Sequence, residues 1–117
     1  MSTPILPQTV GTSSHVGASP GAFPSVATDG FGTNNFRFIN FWVELVGFTS
    51  IDVTVYVYHP DVGWVLYTDV PTTTLLTANG GGFIQVETRG VPRVAMKINA
   101  VVGAGTADII AEGMTYS

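Results

Sequence analysis

The chain has 117 residues, with four Lys or Arg against eight Asp or Glu, a net charge of −4 and no cysteine. That length fits one domain, the missing cysteines exclude disulfides and thiolate metal sites, and four scattered cations cannot build the phosphate-neutralising patch that nucleic-acid binding needs. Charged residues make up 10% of the chain, against about a quarter in ordinary soluble domains, and the mean hydropathy is +0.37, so excess apolar surface is expected to meet other protein.

Residues 1–35 are rich in Pro, Gly, Ser, Thr and Ala, with Asp29 as their sole formal charge. Charge is what normally keeps a disordered tail in solution, so this stretch is expected to be an extended N-terminal arm docked on a neighbour. A β-sandwich domain over 36–117 would follow it. Pro4, Pro7, Pro20 and Pro24 oppose helix and limit ladder hydrogen bonding, while Ile5, Leu6, Val10, Val16, Phe23 and Val26 are spaced as contacts for successive grooves. The opening Met-Ser-Thr-Pro-Ile-Leu-Pro lacks the basic and apolar regions of a secretory signal, which favours synthesis in the cytoplasm. No apolar run approaches the ~20 residues that cross a bilayer, so no membrane partner is expected.

From Phe36 onward, period-2 segments rich in Val, Ile, Thr and aromatics alternate with Gly, Pro and Asn, the pattern of short antiparallel strands. Phe36 to Val46 puts Ile39, Phe41, Val43 and Leu45 on one face. Ile51 to Tyr58 puts Ile51, Val53, Val55 and Val57 inward. His59-Pro60-Asp61-Val62-Gly63 forms a turn, with Trp64 to Val70 returning as its partner strand. Pro71 to Ala78 is a weaker, Thr-rich edge segment. After Asn79-Gly80-Gly81-Gly82, Phe83 to Thr88 turns Ile84 and Val86 inward, and Arg93 to Val102 turns in Val94, Met96, Ile98, Ala100 and Val102. Gly103-Ala104-Gly105 is expected to close a hairpin to Thr106 to Tyr116, in which Gly113 is placed to bulge. The sum is an all-β, antiparallel sandwich of six to seven strands, jelly-roll-like.

Candidate chemistry is sparse. His59-Pro60-Asp61 matches the tripeptide of J-domain co-chaperones, but here strands flank it and turn chemistry explains it. The glycine runs lack the Lys-Ser/Thr and helix start of a phosphate loop. Ser14, His15 and Asp29 are the residue types of a hydrolytic triad, yet all three lie in the arm, without a rigid scaffold. No ligand spacing suggests a metal, so no enzyme activity and no cofactor are expected. The aromatics carry more. Phe38 and Trp42 share the parity of Asn40 and Glu44, opposite the aliphatic face, and Tyr56 and Tyr58 share that of Asp52. Such residues cover the second side of a central strand, anchor a protein interface or stack sugars.

The segment Val91-Pro92-Arg93-Val94-Ala95-Met96-Lys97-Ile98-Asn99-Ala100-Val101-Val102-Gly103-Ala104-Gly105-Thr106-Ala107-Asp108-Ile109-Ile110-Ala111-Glu112-Gly113 resembles the C-terminal hairpin of small β-sandwich virion proteins of tailed bacteriophages. Val53 to Val70, with its Tyr-His-Pro-Asp-x-Gly-Trp turn, resembles the same group. The resemblance implies a non-enzymatic virion structural protein made in the host cytoplasm, of the capsid decoration or cement type. It further implies a homo-oligomer, with a trimer preferred by analogy, contacting the major capsid protein or another virion protein. The alternatives are a receptor- or carbohydrate-binding module of a head or tail fibre, with Trp42, Tyr56, Tyr58, Trp64 and Tyr67 as stacking candidates, and a tail, neck or baseplate component.

Overall fold

The computed structural model describes residues 7–22 and 24–115. Two antiparallel strands of 22 residues each form its spine: β3 (Phe38–His59) and β7 (Arg93–Met114). Around them lie β1 (Gln8–Gly17), β2 (Phe31–Gly32), β4 (Gly63–Leu66), β5 (Thr73–Leu76) and β6 (Gly81–Glu87), all antiparallel, in one seven-stranded sheet. A straight strand of this length would span about 70 Å at ~3.3 Å per residue, yet the longest dimension of the chain is 41 Å. Both long strands therefore bend, and the sheet wraps over itself into a two-layer sandwich.

The bend lies where the β3–β7 register slips, between Val46 and Phe48, between Phe48 and Ser50, and between Asp52 and Val53. Backbones approach closely at this corner. A Cβ on Gly105 would collide with the Val46 carbonyl oxygen and with backbone atoms of Gly47 and Phe48, and Gly47 itself takes φ +88° against the Ala104 carbonyl. Only glycine fits there. One layer thus contains β1, the second half of β7, the first half of β3, and β6; the other contains β2, the first half of β7, the second half of β3, and β4 with β5.

Between the layers lie Ile39, Phe41, Val43 and Leu45 from one half of β3 and Ile51, Val53 and Val55 from the other. They meet Leu75, Ile84, Val86, Val94, Ile98, Ala107, Ile109 and Ala111. Phe31 of the second layer packs its ring 5.8 Å from that of Phe41 in the first, a contact that a flat sheet could not make.

Several expectations are corrected here. Gly103-Ala104-Gly105 closes no hairpin: β7 runs through it as one strand, and Ile51 to Tyr58 likewise continues the strand begun at Phe38. Ala100 and Val102 face outward, because the register step that pairs Asp52 with Ala100 but Val53 with Ile98 leaves Asn99 as an extra residue and reverses the parity beyond it. Asn99 holds that bulge, its Nδ2 donating to Thr54 Oγ1 at 2.9 Å while its Oδ1 accepts from Lys97 Nζ at 3.1 Å. The strand after the His59–Gly63 turn is short, ending at Leu66; Tyr67 keeps one bond to β3, its N–H donating to the Val55 carbonyl at 2.9 Å, and donates its hydroxyl to the Glu87 carbonyl at 2.7 Å. Gly113 stays in register opposite Ile39 and Gln8, beneath the Phe36 ring.

Residues 8–17, expected in an arm on a neighbour, instead pair with β7 from Gly105 to Gly113 as the edge strand β1. Their Thr, Ser and Val content suits a pleated edge, and Val10 reaches the chain's own core. The connection onward is held by the body as well: Gly21 N–H donates to the Ile98 carbonyl, and Arg93 donates to the carbonyls of Thr28, Asp29 and Gly30.

Candidate functional site

The outer faces of the two layers differ. On the second layer, Trp64 Nε1 donates to the Val26 carbonyl at 2.9 Å, drawing the loop over residues 24–30 across that face. Asp29 closes this loop, its carboxylate accepting the N–H groups of Ser25 (2.8 Å) and Val26 (3.0 Å). Those two N–H groups, Val26 first, and the nearby Arg93 guanidinium hold the Asp29 carboxyl below the usual carboxylate range, outweighing the opposing effect of partial dehydration.

The outer face of the first layer has no such cover among the described residues. Trp42 of β3 stands opposite Phe83 of β6 on one side and Ile110 of β7 on the other. The Trp42 and Phe83 rings lie 4.5 Å apart, tilted by 51°. The three side chains remain 48%, 47% and 43% exposed, an apolar strip that water alone does not explain. Trp42 is fixed in place, its Nε1 donating to Glu112 Oε1 at 2.7 Å. Beside it runs a groove of about 630 Å³ lined by Trp42, Glu44, Asn79, Phe83, Asp108 and Ile110.

The groove is acidic at its margin. Glu44 is paired in register with Asp108 on the neighbouring strand, an arrangement of like charges that costs stability. Ser14 Oγ donates to Asp108 Oδ1, whereas Glu44 has no hydrogen-bond or ion-pair partner among the described residues. Aromatic faces flanked by carboxylates suit an apolar segment carrying a Lys or Arg, which can rest its stem on the rings and its charge between the acids.

The sequence-derived candidates are dispersed. Val10 packs into the core, Val16 and Val26 are 71% and 54% exposed at separate places, and Ile5, Leu6 and Phe23 lie outside the described residues. Phe38 is half-buried at one end of the first layer under the Arg37 guanidinium, 5.4 Å from its ring centroid. Tyr56 and Tyr58 are half-buried on the second layer, Tyr58 against Trp64 with ring centroids 5.3 Å apart. Trp42 is thus on a different layer from Tyr56, Tyr58 and Trp64, and the five stacking candidates form no single platform. Nor do the triad types meet: Ser14 bonds Asp108, His15 donates Nε2–H to the Ser19 carbonyl, and Asp29 closes its loop. Among the described residues no group of three or more His, Cys, Asp or Glu is placed to hold a metal.

No protein-family model matches the chain, and no curated protein sequence matches it significantly. The fold is similar to that of the SPBc2 prophage-derived protein YomS. The likeness covers 97% of this chain and 96% of that one, with a TM-score of 0.50 at 17% sequence identity. It therefore includes β1 and the loop after it as well as the body, and it is a likeness of fold.

Phe83 and Ile110 were not among the sequence candidates. Their signal lay in parity: with Ile84 and Val86 inward, Phe83 must face out, and Ile110 alternates with Ile109 and Ala111. What sequence could not show was that β6 and β7 flank Trp42.

Proposed function

We propose that this protein is a non-enzymatic structural subunit of a phage virion, of the capsid decoration or cement type, that fixes itself to a neighbouring virion protein through the outer face of its first layer. One observation carries the reading: Trp42, Phe83 and Ile110 form an open aromatic and aliphatic strip, with the two rings packed against each other, beside an acidic groove. The resemblance of the sequence to small virion proteins and the fold shared with a prophage-derived protein support the phage setting. Low charge and positive mean hydropathy support a life in an assembly.

In this reading, fastening is by burial repeated over many copies. At about 25 cal/mol per Å² of apolar surface, each contact is modest, and the shell gains from their number. The partner presents an apolar segment with a basic residue, complementary to Glu44, Asp108 and Glu112. Imaging of the purified particle at a resolution that places this fold tests the proposal: a fixed stoichiometry on the shell, with the first layer facing a neighbour, is expected. Absence from the particle overturns it.

A receptor- or sugar-binding module is the second reading, favoured by Asn79, Glu44 and Asp108 standing beside the Trp42–Phe83 pair. Saturable hits on a glycan array, abolished by Trp42→Ala in a chain that melts normally, would move support to it.

A further inference from the structure

β1 ends the first layer with one side paired to β7 and the other facing outward. Its ten residues include no Asp, Glu, Lys, Arg or Pro. Among the described residues, no backbone hydrogen bond from another element reaches its outer side, and Thr12, Ser13 and Ser14 are exposed. Proteins that remain monomeric guard such edges with charge, proline, brevity or a covering segment; among the described residues β1 carries neither charge nor proline, and the 22–31 segment comes beside Thr12 and Ser13 without a backbone hydrogen bond to them. The free side of β6 is different. It is shorter, and it ends at Glu87, which accepts the Tyr67 hydroxyl on its carbonyl and faces Arg89 with its carboxylate.

We infer that β1 pairs with β1 of a second copy of this chain, antiparallel across a two-fold axis. A second copy matches this edge in length and lack of charge, and two-fold pairing is the commonest closed arrangement of identical chains. The slip between Thr9 and Gly11 leaves residues 11–17 as the regular stretch, and Ser14 is its centre. With the axis at Ser14, Thr12 of each copy stands opposite Val16 of the other. Val16, 71% exposed in the single chain, gains a β-branched neighbour. The two first layers then join into one continuous sheet whose outer faces look the same way, with both Trp42 grooves on one side. Only this last consequence bears on the proposed docking: two grooves on one surface make the second contact intramolecular.

The chain has no cysteine, so a single introduced thiol reports the geometry. Residues facing each other in an antiparallel ladder have Cα atoms about 4.5–5.5 Å apart, within disulfide range. Full-length Ser14→Cys is therefore expected to form a disulfide-linked dimer under mild oxidation. Val16→Cys is not, because its two copies would stand about 13 Å apart, four residues at ~3.3 Å. Sedimentation at micromolar concentration should give the wild type twice the monomer mass, and Thr12→Lys with Val16→Lys should return it to the monomer with an unchanged β circular-dichroism spectrum. A monomeric wild type, a trimer, equal cross-linking at both positions, or a dimer that survives the lysines overturns the pairing. Particle binding is read separately: a monomer that binds particles refutes the pairing alone, and a dimer that does not bind refutes the docking alone.

Discussion

The corner at Gly47 and Gly105 makes two layers from one long strand pair, and substituting Gly105→Ala tests it. Gly105 has no left-handed φ, so its replacement strains nothing but space. The added methyl would meet the Val46 carbonyl oxygen and the backbone of Gly47 and Phe48, atoms that no rotamer change can move. The two strands must part, losing one or two ladder hydrogen bonds at about 1 kcal/mol each and adding overpacking strain of about 1–3 kcal/mol. A loss of about 2–5 kcal/mol results, which at roughly 4 °C per kcal/mol for a domain near this size lowers the melting temperature by about 8–20 °C. Gly113→Ala is the matched comparison, since its methyl would meet the side-chain ring of half-buried Phe36, which can turn aside. Thermal melts of both by circular dichroism check the reasoning. A Gly105→Ala chain as stable as wild type, or one hurt less than Gly113→Ala, refutes it.

Deleting residues 1–17 strips β1 from β7 and removes Val10 from the core, so the truncated chain should lose cooperative unfolding in a circular-dichroism melt; a wild-type melt would contradict the pairing. Asp29 makes a pH prediction. Its carboxyl lies below the unfolded value when folded, so its hold on the 24–30 loop is present in full above that unfolded value and is lost as pH falls through the folded one. Asp29→Asn should therefore lower hydrogen-exchange protection of the Ser25 and Val26 amides at neutral pH; unchanged protection would contradict the assignment. Asn99→Ala should destabilise by about 1–3 kcal/mol in chemical denaturation, because part-buried Thr54 Oγ1 would lose its partner.

The inward faces of Ile39 to Leu45, Ile51 to Val55, and Ile84 to Val86 were legible in sequence because each strand is buried on one side and period-2 alternation records that directly. Strand continuity was not. Gly103 to Gly105 read locally as turn residues, and Gly47 fell in the gap between two separate runs, but their role is close approach at a corner, which depends on the partner strand about sixty residues away along the chain. Asn99 escaped notice for a related reason: a bulge is a relation between strands, and Val102 sits on the expected parity until one residue is added. The N-terminal segment misled through composition. A lack of charge is shared by a strap and by an edge strand, and only the pairing from Gln8–Gly113 to Gly17–Gly105 separates them. At the site, Trp42 was visible as an aromatic on the wrong face, but the neighbours that make it a surface were not.

The central claim is that the Trp42, Phe83 and Ile110 strip fastens the protein to a virion partner. The direct measurement is co-sedimentation of the purified chain with particles lacking it, titrated for the wild type and for Trp42→Ala with Phe83→Ala. Both side chains lie on the outer face, where their mutual contact contributes about 0.5–1.5 kcal/mol beyond area burial, so the variant should remain folded by circular dichroism. As interface anchors, each should cost at least about 2 kcal/mol in binding, roughly 30-fold apiece, and the affinity of the double variant should fall by several hundred-fold, on the order of 4 kcal/mol. A folded variant that occupies particles with wild-type affinity would contradict the account.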